Sequence, residues 1–548
     1  MKSYWKKGRK QKLIIVFGSV LLLLLLFFLR DDYQPILLFI RKYIFLILLG
    51  GIFLAFAFRA FRHSETFFKR IAYLALIAGV FFAGWYVGWK LELYEYMQTY
   101  NVYNNLDKVE IDELPLTTNE RIQPYNNILT MAYESISETQ EVSLPQLVRV
   151  DNENKWTMAV QPAQEYTWQR VNDNTEEVFS VESTSPFPRF SNENRIPVSF
   201  SIGESLAFSR NTYNAVVQRF NIFQLFNLEP SEVFYMKNDT GAWVQVVSLI
   251  KWKGFFFPYP TFGGVMIIDS GEHNFNDYVE RMTIGKGLYV SPDQMDNYPF
   301  LRKQNTLAEQ ISKLQAESLK FLAGFSDPLP WNMETAVKIP DLKDDENTQP
   351  YVTDFIFDDV DNTAFNGLYH WFGLEPIGEE RTSLAFSVFV PADGTQKLYY
   401  YNHAAKKEGL AGVSAMPLKV IESKKEYDWD NNRPVEFRPY IKHIGERKRM
   451  FVLGTVTAKR KDSKKFDGSA TPDLALVDVQ YRDVIWIDAK HPSSWEKTIY
   501  NQMAEVWSTA EGLNLKTENT LEFKATDTIT NTKAIKEALQ AIARDSIN

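Results

Sequence analysis

A zinc site of the His-x-x-x-His kind needs two imidazoles one helical turn apart, and the six histidines, at 63, 273, 370, 403, 443 and 491, never stand that close. Cysteine is absent, which excludes disulfides, thiolate metal sites and thiol nucleophiles. The nearest approach to a serine nucleophile elbow is Gly412-Val413-Ser414-Ala415-Met416, which lacks the second glycine and with it the sharp strand-to-helix turn. No Gly-x-x-x-x-Gly-Lys-Ser/Thr stretch is present to cradle a phosphate. Asp358-Asp359-Val360-Asp361-Asn362 resembles the opening of a calcium loop, but Ala364 stands where that loop needs glycine and His370 where it needs glutamate. A solvated acidic turn accounts for it better. What remains for catalysis is acid–base work by carboxylates such as Asp354, Asp358 or Glu375 with His370. With 68 acidic residues in the chain, some such pair is inevitable. The spacing therefore assigns no catalytic residue, no metal ligand and no cofactor.

Two kinds of stretch suit contact better than catalysis. Phe255-Phe256-Phe257-Pro258-Tyr259-Pro260 sets four large rings among turn residues. If Phe255, Phe256, Phe257 and Tyr259 are exposed they mark a partner contact, and if buried they plug a core. Gly84 and Gly88, with Ala75 and Gly79 before them, place small residues four apart in an apolar helix. Such a face permits close helix approach, either to the chain's own membrane helices or to another chain's, including a second copy. The basic run Lys459–Lys465 reads as a solvated hairpin tip.

The elements that must carry these residues begin with a membrane anchor. Residues 1–12 form a basic tail. Within 13–90 three transmembrane helices are expected: Leu13–Leu29, a segment opened by Pro35 and running to Phe58 with Arg41 and Lys42 snorkelling at an interface, and Ile71–Trp89. Lys and Arg crowd the tail and the loop after the second segment, which puts both in the cytoplasm and delivers everything after Lys90 to the far side. The expected location is a bacterial cell membrane, N-terminus inside, with a large extracytoplasmic portion.

That portion is expected to be mixed α+β and β-rich. Residues 91–140 read as a stalk, 141–300 as a first β-rich domain, 301–345 as a connecting helix and acidic linker, 346–490 as a second β-rich domain, and 491–548 as C-terminal helices. Strands follow from period-two alternation, as in Trp156–Val160, Trp243–Ile250 and Met450–Val456. The clearest helix spans Thr306–Phe321, with Thr306 and Glu309 as a capping box and Gly324 as its stop. The two domains look related. Each carries acidic-aromatic text (Glu232-Val233-Phe234-Tyr235; Glu436-Phe437-Arg438-Pro439-Tyr440), then an apolar strand, a Pro-containing loop and a strand ending in Asp269 or Asp478. Any two hairpins share some of this likeness.

With 548 residues, the chain exceeds one compact core. Hydrophobic residues at 45% and charged residues at 23% are ordinary for a largely water-soluble protein. Net charge −8 with no long basic stripe beyond the N-terminus argues against nucleic acid. A Cys-free exported portion of this size points to a bacterial or phage-encoded chain. The expected role is a non-catalytic assembly component of an envelope complex, whose partners are the lipid bilayer and other membrane or envelope proteins. An envelope-acting hydrolase and a pore subunit are the alternatives.

Overall fold

A computed structural model describes residues 18–19, 27–63, 67–90, 92–271, 274–333, 335–342, 348–357, 366–378, 382–458 and 472–511. Helix α1, Arg30–His63, is followed by α2, Phe67–Lys90. Within α1, Arg30–Phe56 is long and apolar enough to cross a membrane, and among the described residues it is the one helix that is. The apolar stretch of α2, Ile71–Tyr86, is shorter. Of the first expected segment, most residues lie outside those described.

The second segment does not begin at Pro35, and Arg41 and Lys42 bond to the folded body. The helix starts at Arg30 and runs through Pro35, which forfeits only one main-chain bond near the helix start. Its first turns are keyed into the folded body. Arg30 donates from Nη1 to the Phe220 carbonyl (3.1 Å) and from Nη2 to the Thr283 carbonyl (3.2 Å). Gln34 donates to the Leu228 carbonyl at 2.7 Å. Arg41 reaches Asn227 Oδ1 (3.0 Å) and the Trp252 carbonyl (3.2 Å), while Lys42 pairs with Glu229 at 2.9 Å. A break at Tyr43 (φ −113°, ψ 15°) ends this docked part. Beyond it Leu46–Leu49, Leu54 and Phe56 are exposed, and Phe53 meets Phe81 of α2 at 5.5 Å. The two helices thus form an apolar hairpin whose arms both start from the body.

The expected stalk, 91–140, is in its described residues part of the folded body. Helix α3 (Leu93–Asn105) packs Tyr96 and Tyr100 on Phe321. Strand β1 (Asp107–Glu110) pairs in parallel with Lys397–Tyr400, and β2 (Leu116–Thr118) pairs with Asp354–Ile356. The segment therefore supplies both edges of a sheet built from distant sequence.

Two copies of one succession follow. The first runs α4 (Tyr125–Glu134), short β3 (Gln140–Val142), then β4 (Gln146–Val150), β5 (Glu153–Pro162), β6 (Thr175–Glu182) and β7 (Arg195–Phe200). Next come α5 (Thr212–Arg219), α6 (Ile222–Asn227), and β8 (Leu228–Lys237), β9 (Trp243–Lys253), β10 (Tyr259–Asp269), α7 (Phe275–Thr283) and β11 (Leu288–Val290). The second runs α8 (Glu309–Glu317), short β12 (Val337–Lys338), then β13 (Tyr351–Ile356), β14 (Asn366–Pro376), β15 (Phe386–Pro391) and β16 (Lys397–Asn402). It continues with α9 (Met416–Ser423), and β17 (Asn432–Ile444), β18 (Arg447–Ala458), β19 (Asp473–Asp478) and β20 (Val484–Ile487). In each copy the two four-strand sets pair in sequence order, antiparallel throughout. Both copies bulge at the same place. Ser231 and Glu232 of β8 face the single residue Ser248, and Glu436 and Phe437 of β17 face the single residue Gly454.

The copies are not separate domains, because they share cores. Along β14, Tyr369 and Trp371 point into a core with Phe437, Val452 and Val477, while Phe372 and Leu374 point into one with Val233, Val246 and Val388. The latter core holds β8–β10 of the first copy against β14 and β15 of the second. A third joins Ile128 of α4 and Trp156 to Val352 and Leu368. The expected helix Thr306–Phe321 is shorter: α8 ends at Glu317 and a 3-10 turn carries on to Phe321. No capping box forms, since Ala308 occupies the cap position. The last of the described helices, α10, spans Trp495–Glu511, and the rest of the C-terminal helices expected over 491–548 lies outside the described residues. The portion beginning at Glu496 is a unit distinct from the body.

Candidate functional site

A cavity of about 300 Å³ opens where the two copies meet. It is lined from corresponding places in each. Pro145 and Gln146 enter β4 as Pro350 and Tyr351 enter β13; Glu232 and Glu436 stand in the two bulges; Tyr125 and Glu309 are the first residues of α4 and α8. The bulge glutamates are exchanged. Glu232 of the first copy accepts the Glu309 backbone N–H that opens the second copy's helix (3.0 Å), and Glu436 of the second accepts that of Tyr125, which opens the first copy's helix (2.5 Å). A carboxylate suits an uncapped helix N-terminus, whose first N–H groups lack partners. The cap of α8 comes not from Thr306, three residues away in sequence, but from Glu232.

The two halves differ in charge. Glu436 is held at 2.9 Å by Arg121 and at 3.5 Å by Arg438, itself buried enough that its guanidinium is pushed down to about 9. Glu232 and Glu309 have no cation within ion-pair distance among the described residues. Burial first, then Glu309, pushes Glu232 up to about 8. Burial likewise raises Glu309, with Arg121 and Lys313 opposing from a distance. Glu309 retains exposed surface and lines the cavity, so cavity water moderates its shift. Nearby, burial pushes Glu204 up to about 7 despite bonds from Tyr235 (3.2 Å) and Tyr213 (3.4 Å).

The carboxylates and His370 considered for acid–base work are not brought together. His370 is fully buried between Ser312 (2.6 Å) and Asn305 (2.8 Å), and burial pushes it down to about 3, so it stays neutral. Asp354 is held by Arg149 at 2.6 Å, with Asn119 and Asn154 on the same oxygen. Glu375 accepts from the Ser414 backbone N–H (2.8 Å) and hydroxyl (2.6 Å), which ties down the turn before α9. Asp358 lies outside the described residues. A Ser–His–acid order does occur, unannounced by the sequence: Ser387 Oγ stands 2.9 Å from His403 Nε2, and His403 Nδ1 stands 2.6 Å from Glu408. Ser387 and His403 are buried and Ser387 sits between two paired strands, so no substrate carbonyl reaches the hydroxyl.

The aromatic loop lies where α1 leaves the body. Phe257 packs on Phe45 (5.4 Å) and Tyr94 (5.8 Å), and Tyr259 is buried in β10. Phe255 and Phe256 stay exposed, with Phe256 at 5.1 Å from Phe45. Gly79, Gly84 and Gly88 of α2 have open space where a side chain would stand. They therefore face no described part of this chain closely. Where α1 begins, the body carries α7 with its polarity reversed. Phe275 (77% exposed), Tyr278, Val279 and Met282 form an outward apolar stripe, while Arg281 turns inward to the Ser201 carbonyl (2.9 Å) and Asp277 to Lys286 (2.6 Å). The second copy has no such helix: five residues, Val479–Asp483, join β19 to β20.

No family model matches the chain, and neither a curated protein nor a solved structure does.

Proposed function

We propose that this protein is a membrane-seated assembly component, whose body is held rigidly against a bilayer and offers surfaces to neighbouring envelope proteins. One observation carries this: the apolar hairpin springs from a face of the body that itself exposes apolar side chains. Arg30 ties the end of α7 to the start of α1, and Arg41 ties in α6, whose Ile222 and Phe223 (79% exposed) point outward. Ile36 and Phe39 on the free side of the docked turns continue the patch, and Phe255 and Phe256 end it. Exposed apolar area of this extent beside a membrane helix fits lipid. The docked turns Arg30–Lys42 then lie in the interface. Leu46–Phe58, about 20 Å long at 1.5 Å per residue, enters the hydrocarbon, Arg59 and Arg62 snorkel to the far interface, and α2 returns. Leu13–Leu29 supplies a third crossing and leaves the basic tail in the cytoplasm.

A second reading rests on the Glu232–Glu309 pair. Two carboxylates, one protonated near neutral pH, are the equipment of general acid–base hydrolysis of envelope glycans.

The seat is testable because the chain has no cysteine. Single cysteines at Tyr278, at Leu418 of α9 and at Leu54 of the hairpin, carrying an environment-sensitive fluorophore, are reconstituted as full-length protein in vesicles with doxyl lipids. Tyr278 and Leu54 labels should be quenched by the lipid and Leu418 by aqueous iodide. A Tyr278 label quenched by iodide like Leu418 contradicts the seat, and a Leu54 label so quenched contradicts the anchor itself.

A further inference from the structure

The internal duplication supplies its own comparison. In one half of the cavity a helix-capping glutamate, Glu436, carries a guanidinium on its second oxygen, from Arg121, four residues before the helix it caps. In the other half the capping glutamate is Glu232, and the residue four before the helix is Asn305, which is turned to His370. Glu232 Oε2 has no hydrogen-bond or ion-pair partner among the described residues, and Glu309 adds a second carboxylate beside it. The second oxygen of the capping carboxylate thus meets a guanidinium in one half, and a second carboxylate lines the cavity in the other. Trp156 lines the same cavity, with the Arg121 guanidinium 5.1 Å from its ring centroid.

We infer that the Glu232–Glu309 half of the cavity binds a small organic cation, with a primary ammonium or guanidinium group seated between the two carboxylates. The cationic group takes the place that Arg121 fills in the other copy. A volume of about 300 Å³ holds about ten waters, so the ligand has about that many non-hydrogen atoms. That is a small amine, not a peptide segment. Pro145, Leu147 and Val352 give the apolar wall that an alkyl stem requires. No group of three or more metal-type ligands stands among the described residues, which favours an organic cation over a metal ion.

The test uses the full-length protein in detergent, with 1,4-diaminobutane as probe and 1,4-butanediol as its uncharged counterpart. Calorimetric titration should show the diamine binding at least tenfold more tightly at pH 9 than at pH 6, because ionisation of the pair completes the site, and releasing protons near pH 7. The diol should give no heat. E232Q keeps the cap on α8, since the amide oxygen still accepts the Glu309 N–H, so it folds; it should weaken diamine binding at least tenfold, and E309Q should do the same. Equal binding of the diol, affinity independent of pH, or undiminished binding in both variants would each overturn the assignment.

Discussion

Replacing Glu232 with Gln should make the body more stable at neutral pH. The carboxyl is pushed from its ordinary value near 4.5 up to about 8. A folded-state pKa raised above the unfolded one means the protonated form is favoured by folding. That stability is fully present below pH 4.5 and is lost as pH rises through 8. At pH 7 the ionisation that the unfolded chain gains freely costs the native state about 1.36 × 2.5, or about 3 kcal/mol. Cavity water reduces this to about 1–3 kcal/mol. For a body of this size, with an unfolding entropy of about 2.1 cal/mol/K per residue, that is a change of about 1–4 °C in Tm. Intrinsic fluorescence during heating, on wild type and E232Q side by side from pH 5 to pH 9, isolates Glu232 from other titrating groups. The two should coincide near pH 5 and diverge upward, with E232Q higher. Curves that stay parallel would refute the reasoning, since Glu232 would then ionise as it does in water.

Other outcomes follow from named contacts. R30Q removes donors to two main-chain carbonyls, Phe220 and Thr283, and should lower stability by about 2 kcal/mol while exposing the start of α1 to protease; unchanged proteolysis would mean that the docking of α1 is slack. F255S/F256S should leave the body folded and weaken its seat on the bilayer, read as reduced doxyl-lipid quenching of the Tyr278 label, whereas F257S, which loses Phe45 and Tyr94, should destabilise the body. Equal effects of the two variants would contradict that division. A fluorophosphonate probe should form no adduct at Ser387; an adduct would show that the buried Ser–His–Glu group is reachable and catalytic.

The strands were legible because each alternates between two cores, as Trp156, Met158 and Val160 alternate with Ala159. The matching order of strands in the two halves has its sign in the text around Glu232 and Glu436. Those residues signalled the repeat and not the site, because nothing local distinguishes them among 68 acids. Their roles depend on an exchange of caps between copies, a contact across 77 residues for Glu232 and 311 for Glu436. Distance in sequence also hid the boundary of α1. Arg41 and Lys42 look like snorkelling cations until Asn227 and Glu229 are placed beside them. The supposed stalk misled for a related reason: β1 and β2 are too short to show alternation and are defined only by the strands they pair with.

The central claim is that the body sits on one side of a membrane and the tip of the hairpin on the other. A membrane-impermeant maleimide tests it on full-length single-cysteine variants in intact spheroplasts. A cysteine at Glu446, exposed on the turn between β17 and β18, should be labelled at once. A cysteine at Lys69, near the start of α2, should be labelled only after lysis. Labelling of both in intact cells, or of Lys69 alone, would contradict the account.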